Sequence, residues 1–445
     1  MSSNRIISNS VWMMSSSLIN NGVNFVVFIF IARYLGATDF GSFSYVFAIA
    51  SLFAMVGQMG LDGLLSRELI EEKENQPVIL GTACMLRFFG YAIGALLTLG
   101  YGFAMPSHSD LEQTLFCIAA LFVFSNVFNA IPENWLKTMH EARSASKARI
   151  IGSIIGGILK IFVLLSGGGV ILVSIIHLLG LLLVSSGMFF FYGSKGGPKI
   201  RVWTISWLRA RVLLSESWRV FLSALLWIVY LRIDMMILRQ LSSPEVVGKY
   251  AISARLAEMT YVFPSALVVA TFPSIMAAKG RSEGEYKNKL QALLYILSFS
   301  GLAIMIAMWG FAEILLVPIF GNEYQESVGV VFVYMMSTPF MFLHYALSRW
   351  ILIERQTMFG LCADFCGVIL NVVLNFALIP LLGIIGAAIA TVISYAFVAF
   401  VSLLLTRKTR EMFVMIFAAL IFPWRGGGIL FDNAKSFLFK KVRAQ

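Results

Sequence analysis

Apolar residues in this chain do not alternate with polar ones; they come in long runs. Such runs recur at about 11–33, 42–65, 79–104, 113–135, 148–166, 170–192, 217–239, 247–272, 290–317, 328–348, 357–379 and 384–406. A helix crosses the hydrocarbon core of a bilayer with about 20 mostly apolar residues. Strands read from such a pattern would leave edges that lipid cannot satisfy, whereas helices bond their own backbones. The pattern therefore predicts an all-α polytopic membrane protein with about twelve membrane-spanning helices. After 406 a further apolar stretch, Met412 to Trp424, is too short to span and reads as an interfacial segment leading into a basic tail.

Composition agrees. The chain is 59% hydrophobic and 13% charged, where a soluble globular protein carries about 25% charged residues. The net charge of +11 raises nucleic acid as a partner, but its placement excludes it. With the N-terminus on the cytoplasmic side, basic residues crowd the loops of that side. They include Lys137, Arg143, Lys147 and Arg149; Lys199, Arg201, Arg209 and Arg211; and Lys279, Arg281, Lys287 and Lys289. The opposite side is left with Arg33, Arg239 and Lys249. This asymmetry is the positive-inside rule, with both termini cytoplasmic. The N-terminus is rich in Ser and Asn and leads straight into a first span, with no cleavable signal pattern. Cys84, Cys117, Cys362 and Cys366 lie in apolar runs with no metal-ligand spacing around them and read as packing residues.

The two halves resemble each other. Residues 135–170 align without a gap to 350–385, bringing Trp135, Gly152, Leu159 and Gly168 onto Trp350, Gly367, Leu374 and Gly383. Earlier, Ile31, Arg33 and Leu35 match Ile237, Arg239 and Leu241, and a one-residue insertion brings Gly41 onto Gly248. An even number of spans separates equivalent points, so the halves share one orientation and form parallel repeats. The expected organisation is a six-helix lobe over 1–193, a connector over 194–216, a second six-helix lobe over 217–406, and a short interfacial segment with a basic cytoplasmic tail over 407–445. In the connector, Gly193, Gly196, Gly197 and Pro198 break the chain. Trp203, Trp207, Leu208 and Leu213 then interleave with Arg209 and Arg211, the pattern of an interfacial amphipathic helix on an anionic leaflet.

Polar side chains inside the spans are the candidate chemistry, because ionisable groups in hydrocarbon are costly and face cavities or partners. Arg255 stands about a third of the way into 250–273, with Glu258 at i+3; Arg232 and Asp234 share a span but, at i, i+2, do not face each other. Arg87 lies near a cytoplasmic end, where it either snorkels to the interface or joins Arg255, Arg232 and Lys160 as a cavity cation for a pyrophosphate. Lys160 sits in the outer half of its span, and His177 in the next. The polar stripe Ser17, Asn20, Asn21 and Asn24 shares one helical face, as do Asp364, Asn371 and Asn375, and as do Asn126, Asn129 and Glu133, the last read as a solvated carboxylate. Cations suit a phosphorylated ligand. Amide stripes suit sugar hydroxyls or, equally, helix–helix packing. Asp234, Glu258, His177 and Asp364 are the groups placed to couple transport to an ion. No phosphate-binding loop is present, since Gly193 to Lys199 lacks its spacing. No connector is long enough for an external catalytic domain, and no cofactor or metal is expected. The pattern describes a transporter rather than an enzyme.

With these residues in hand, the chain resembles the Wzx-type polysaccharide (O-antigen) flippases. They belong to the superfamily that also holds the lipid II flippases and the MATE exporters. The resemblance covers about 1–406. It rests on the opening Asn9, Ser10, Val11 and Trp12 with its Ser/Asn stripe; on Ala32 through Gly41 followed by Tyr45; on Tyr250, Ala254, Arg255, Leu256, Pro264 and Pro273; on Glu354 to Thr357; and on Ile379 to Ala388. It implies a central cavity between two lobes and alternating access. It implies as cargo an undecaprenyl-pyrophosphate-linked oligosaccharide crossing a bacterial inner membrane, with membrane lipids around it and a polysaccharide polymerase and chain-length regulator as downstream partners. In lipid II flippases a basic residue of the eighth helix, within the same Arg-Leu motif, lies in the cavity; that role is carried to Arg255. Where those relatives have arginines early in helices 1 and 2, this chain has Asn and Ser, which points away from lipid II itself. The first helix also lacks the carboxylate common in MATE drug exporters. A cation-coupled drug exporter is the first alternative and a polysaccharide polymerase or ligase the second.

Overall fold

The structure is a computed structural model. It describes residues 3–429, with side chains from residue 18 onward. The side chains of Asn9 to Trp12 and Ser17, and the basic tail beyond 429, lie outside the described residues. All regular structure described is helical. Ten helices are long and apolar enough to cross a membrane, eleven with one bent pair. The twelfth lies at the N-terminus, where the stretch α1 (Ser3–Gln58) is two helices joined across a kink, in keeping with the first two apolar runs. Gly36 interrupts it with φ 74° and ψ 169°, a conformation that a Cβ all but forbids. The expected turn at Leu35 to Gly41 holds this kink between the two helices.

The chain divides into two compact units, one through Gly248 and one from Lys249. In the first, α1 packs against α3 (Gln76–Ala104), α4 (Asp110–Thr138), α5 (Ala142–Leu165) and α7 (Trp207–Leu241). α6 (Val170–Ser194) lies on α4 and α5, and α2 (Asp62–Glu71) caps one end. Leu61, Leu65, Leu69, Ile79, Leu80, Trp135, Met188, Tyr192 and Leu213 form a core cluster there. The connector joins it: Trp203 packs on the cluster, Thr204 N donates to Pro77 O, and Arg209 reaches Glu68 Oε2 at 2.8 Å and Glu72 Oε2 at 2.6 Å. α7 then runs unbroken from Trp207 into the span. The amphipathic segment is therefore the first turns of a long helix, fastened by Arg209, with Trp207 and Leu208 exposed.

At the other end α4 begins with a capping box: Ser109 Oγ accepts from Glu112 N at 3.3 Å, and Ser109 N donates to Glu112 Oε2 at 3.1 Å. Arg239, near the end of α7, forks onto the same carboxylate. Its Nε and a terminal nitrogen each lie 2.7 Å from Glu112, and that nitrogen also donates to Ser107 O at 2.9 Å. Glu112 is fully buried and Arg239 nearly so. Gly41 and Gly248, paired by the repeat alignment, meet where α1 crosses α8 (Pro244–Thr260). A Cβ on Gly41 would lie 1.8 Å from Pro244 O, and one on Gly248 2.2 Å from Ala37 O. Only hydrogen fits at either position.

In the second unit the run 247–272 is broken. α8 stops at Thr260 and α9 (Val262–Lys279) restarts after Tyr261. Pro264 has no N–H to give Thr260 O, and its ring crowds that carbonyl. At the third position of a new helix its missing donor costs nothing. α10 (Glu283–Phe311) packs on α9, on α12 (Thr338–Ile353) and on α15 (Arg410–Ile421). α11 (Gln325–Met335) and α12 form the pair bent by 43°. α13 (Thr357–Leu382) and α14 (Ile384–Ala399) complete the unit. The stretch 412–424 lies largely on α15, whose 12 residues reach about 18 Å, short of a span. Met412, Ile416 and Ala419 are buried, and Gln291 Nε2 donates to Met415 O. Large apolar side chains such as Leu96, Phe162, Phe190 and Leu381 point outward, the surface that lipid covers in a membrane protein.

Candidate functional site

Two polar centres form in the first unit. In one, Lys160 of α5 and His177 of α6 come together, Nζ to Nδ1 at 3.1 Å. A lysine ammonium has only donors, so the ring accepts at Nδ1, and the proton of a neutral imidazole then sits on Nε2. Phe43, Phe47 and Phe122 surround the ring, with centroids 5.8, 4.7 and 4.9 Å away. Lys160 makes no ion pair among the described residues. The next helix turn away, Gly156 and Gly180 let α5 and α6 approach closely, a Cβ on Gly156 lying 3.3 Å from Gly180 Cα. On the α1 side, Asn20 Oδ1 accepts from Ser153 Oγ at 2.6 Å. Asn20, Asn21 and Asn24 are half-buried.

The second centre is a polar cavity of about 460 Å³ between α2, α3 and α4, lined among others by Gln58, Asp62, Arg87, Asn129, Glu133 and Asn134. Arg87 does not snorkel. It is buried and pairs with Asp62, because Asp62 opens α2 directly across from it. Glu133 is not a solvated carboxylate either: it is 13% exposed, 2.5 Å from Lys137, and paired with Arg149. A carboxylate this buried stays ionised only with such partners. Asn129 Nδ2 donates to Glu133 Oε2 at 2.9 Å, and Asn134 Nδ2 to Asp62 O and Oδ1 at 3.1 and 3.2 Å. Three buried atoms are left over: Arg87 Nε, Asn129 Oδ1 and Asn134 Oδ1 hydrogen-bond to nothing. Each such vacancy costs about 1–3 kcal/mol. Sequence pattern singles out neither Asp62 nor Asn134, which reach this centre only through the antiparallel packing of α3 and α4.

In the second unit Arg255 lies nearly two turns before the break at Tyr261, 3.5 Å from Glu258 on its own helix, with 38% of its side chain exposed. The intrahelical pair expected from the spacing is present. Asn371 and Asn375 are fully buried, and Asn375 Nδ2 donates to Asn371 O and Oδ1 at 2.9 and 3.0 Å. Asp364 is half-buried on the same helix. In α7, Asp234 is buried and Arg232 half-buried. Among the described residues no cluster of metal-ligating side chains forms. Outside the spans, Arg209 beside Glu72, with help from Asn75, holds that carboxyl below its ordinary value.

Long, broken and kinked apolar helices with cations set among them define a multi-pass transport protein. A polysaccharide biosynthesis protein model matches residues 6–279, and a MatE model matches 220–377. The chain belongs to the polysaccharide biosynthesis protein family. It is 24% identical over 390 residues to a probable flippase, AglR, of Haloferax volcanii, covering 84% of this chain and 77% of that protein. It is also 24% identical over 411 residues to a probable low-salt glycan biosynthesis flippase, Agl15, of the same organism, covering 87% and 80%. Among solved structures, the lipid II flippase MurJ in an inward closed conformation matches with TM-score 0.67, 16% identity and coverage of 94% and 92%. An inward-facing multidrug resistance MATE transporter matches with 0.70, 19% identity, and 89% and 95%. These structures share the fold.

Proposed function

We propose that the protein is a flippase of glycan biosynthesis, moving a lipid-linked oligosaccharide across the membrane by alternating access. The observation that carries this reading is Lys160, a cation within a membrane helix that, among the described residues, meets a neutral acceptor, His177 Nδ1, and no carboxylate. A charge so placed is costly unless an anion meets it. A phosphorylated headgroup supplies one, and Arg255, 38% exposed in the second unit, is proposed as a further cation for such a group through its guanidinium fork. Arg232 is the third proposed cation. The half-buried Asn20, Asn21 and Asn24 offer amides to sugar hydroxyls. Relatives named as flippases support the class of activity.

The finer reading is an undecaprenyl-pyrophosphate-linked repeat unit of O-antigen or related surface polysaccharide, crossing a bacterial inner membrane with both chain termini cytoplasmic. The named relatives are archaeal, and cations select a phosphorylated headgroup rather than one particular prenol. The six-helix lobes over 1–193 and 217–406 are proposed as the bodies that alternate, and His177, Asp234, Glu258 and Asp364 as groups that couple the cycle to an ion.

The test is Arg255→Ala and Lys160→Met, each made in cells that lack other flippases. Lipid-linked repeat units are expected to accumulate on the cytoplasmic face. Normal expression with wild-type amounts of surface polymer refutes the assignment. A deletion strain that changes only in drug sensitivity would support the drug-exporter alternative instead.

A further inference from the structure

We infer that the cavity lined by Asp62, Arg87, Asn129, Glu133 and Asn134 is a binding site for a neutral polyhydroxylated group, a sugar, and not for a phosphate. The cavity stands on its own geometry; its place on a translocation route rests on the flippase reading. Its volume of about 460 Å³ falls in the range of ligand pockets, roughly 300–1,000 Å³.

Each of its charged side chains already has a partner inside the protein, three cations sharing two carboxylates. Arg87 is engaged by Asp62, and Glu133 is held by Lys137 and Arg149. An anion entering here would compete with two carboxylates for cations that are already paired. What the lining side chains lack is hydrogen-bonding partners. Two amide carbonyl oxygens, Asn129 Oδ1 and Asn134 Oδ1, want donors, and one guanidinium N–H, Arg87 Nε, wants an acceptor. A hydroxyl both donates and accepts, and neighbouring hydroxyls on one ring offer several such groups at fixed spacing. A phosphate oxygen offers acceptors alone and leaves both carbonyls unmatched. Arg87 and Asn134 are 2% and 7% exposed, so these vacancies are not met by bulk water. As the side chains stand, the three atoms are closed over. Binding requires the side chains of Asn129 and Asn134 to turn toward the ligand as it enters.

The probe is a panel of neutral methyl hexosides and N-acetylhexosaminides, followed by saturation-transfer NMR on the full chain in lipid nanodiscs. Saturation transfer to at least one sugar is expected, unaffected by inorganic pyrophosphate. Asn134→Leu, which keeps the size but removes the amide, is expected to weaken binding about tenfold, the worth of one lost hydrogen bond to a buried group. Asn134→Gln is expected to recover part of it. Both variants are first checked for wild-type thermal unfolding, and Asn129→Leu replaces Asn134→Leu if that variant does not fold. Absence of transfer across the panel means a cavity filled by water alone and overturns the inference. Displacement of sugar by pyrophosphate also overturns it, as does undiminished binding in the leucine variants. The flippase reading is judged separately, by lipid-linked intermediates in the Arg255 and Lys160 variants. Sugar binding with normal export in those variants sinks the transport reading and leaves this site; failed binding with accumulated intermediates does the reverse.

Discussion

The forked pair between Arg239 and Glu112 gives the most quantifiable test of the first unit. Two N–H···O bonds of 2.7 Å hold the fork, and Ser107 O takes a third at 2.9 Å. Glu112 has no exposed side-chain surface, and Arg239 about a tenth of its own. Arg239→Met keeps most of the side-chain volume but leaves a buried carboxylate with one backbone donor, Ser109 N. Removing one member of a buried pair costs about 3–5 kcal/mol. At about 1.4 kcal/mol per decade, that is roughly two to three and a half powers of ten in the folded fraction. Glu112→Leu strands the guanidinium and also loses the capping box, worth about 1 kcal/mol more. The double variant Arg239→Met with Glu112→Leu leaves no unpaired charge. Because an apolar pair of similar volume is often neutral or better, it should recover to within about 1–2 kcal/mol of wild type. The assay is denaturant unfolding of the full chain in detergent micelles, followed by tryptophan fluorescence, as a double-mutant cycle. If either single change costs under about 1 kcal/mol, or the double costs the sum of the two, the pair is not the fastening described here.

Other consequences follow from particular contacts. Gly41→Leu drives a side chain into Pro244 O, 1.8 Å from the Cβ position; well over 3 kcal/mol of destabilisation or loss of folded protein is expected, read by detergent-stable yield, and wild-type yield would refute the crossing. Pro264→Ala restores the missing N–H and should let α8 and α9 run on through Tyr261, slowing hydrogen exchange at residue 264 relative to its neighbours; rapid exchange there would show that the proline is not the cause of the break. The fastening of the connector should depend on acid. Arg209 lowers the carboxyl of Glu72 from its ordinary value near 4.5, so its contribution is complete above that pH and is lost as pH falls through the lower folded value. Limited proteolysis of 194–206 should accelerate over that window in the wild type and show no such acid step in Arg209→Ala.

The extent of helix was legible in the chain because lipid demands it: a bilayer leaves an apolar run little choice but to satisfy its own backbone. The break near Pro264 and the special conformation at Gly36 follow from residues that lack a donor or a Cβ, so their neighbourhoods are marked in advance. The pair Arg255 and Glu258 is likewise set by spacing on one helix. Arg239 on Glu112, Arg87 on Asp62 and Lys160 on His177 were not predictable this way. Each joins two helices, and which turn of one meets which turn of the other depends on packing that no single helix carries. Arg87 therefore reads from sequence as a snorkelling or cavity cation, and in the fold it is buried against a carboxylate 25 residues away. Asn371 and Asn375 share a face by periodicity, but only tertiary packing decided that this face is closed. What the sequence determined by itself is that cations and amides lie in membrane helices. Which of them face one another, and which surround a hollow large enough for a ligand, was decided by how the helices pack, a contact made in three dimensions.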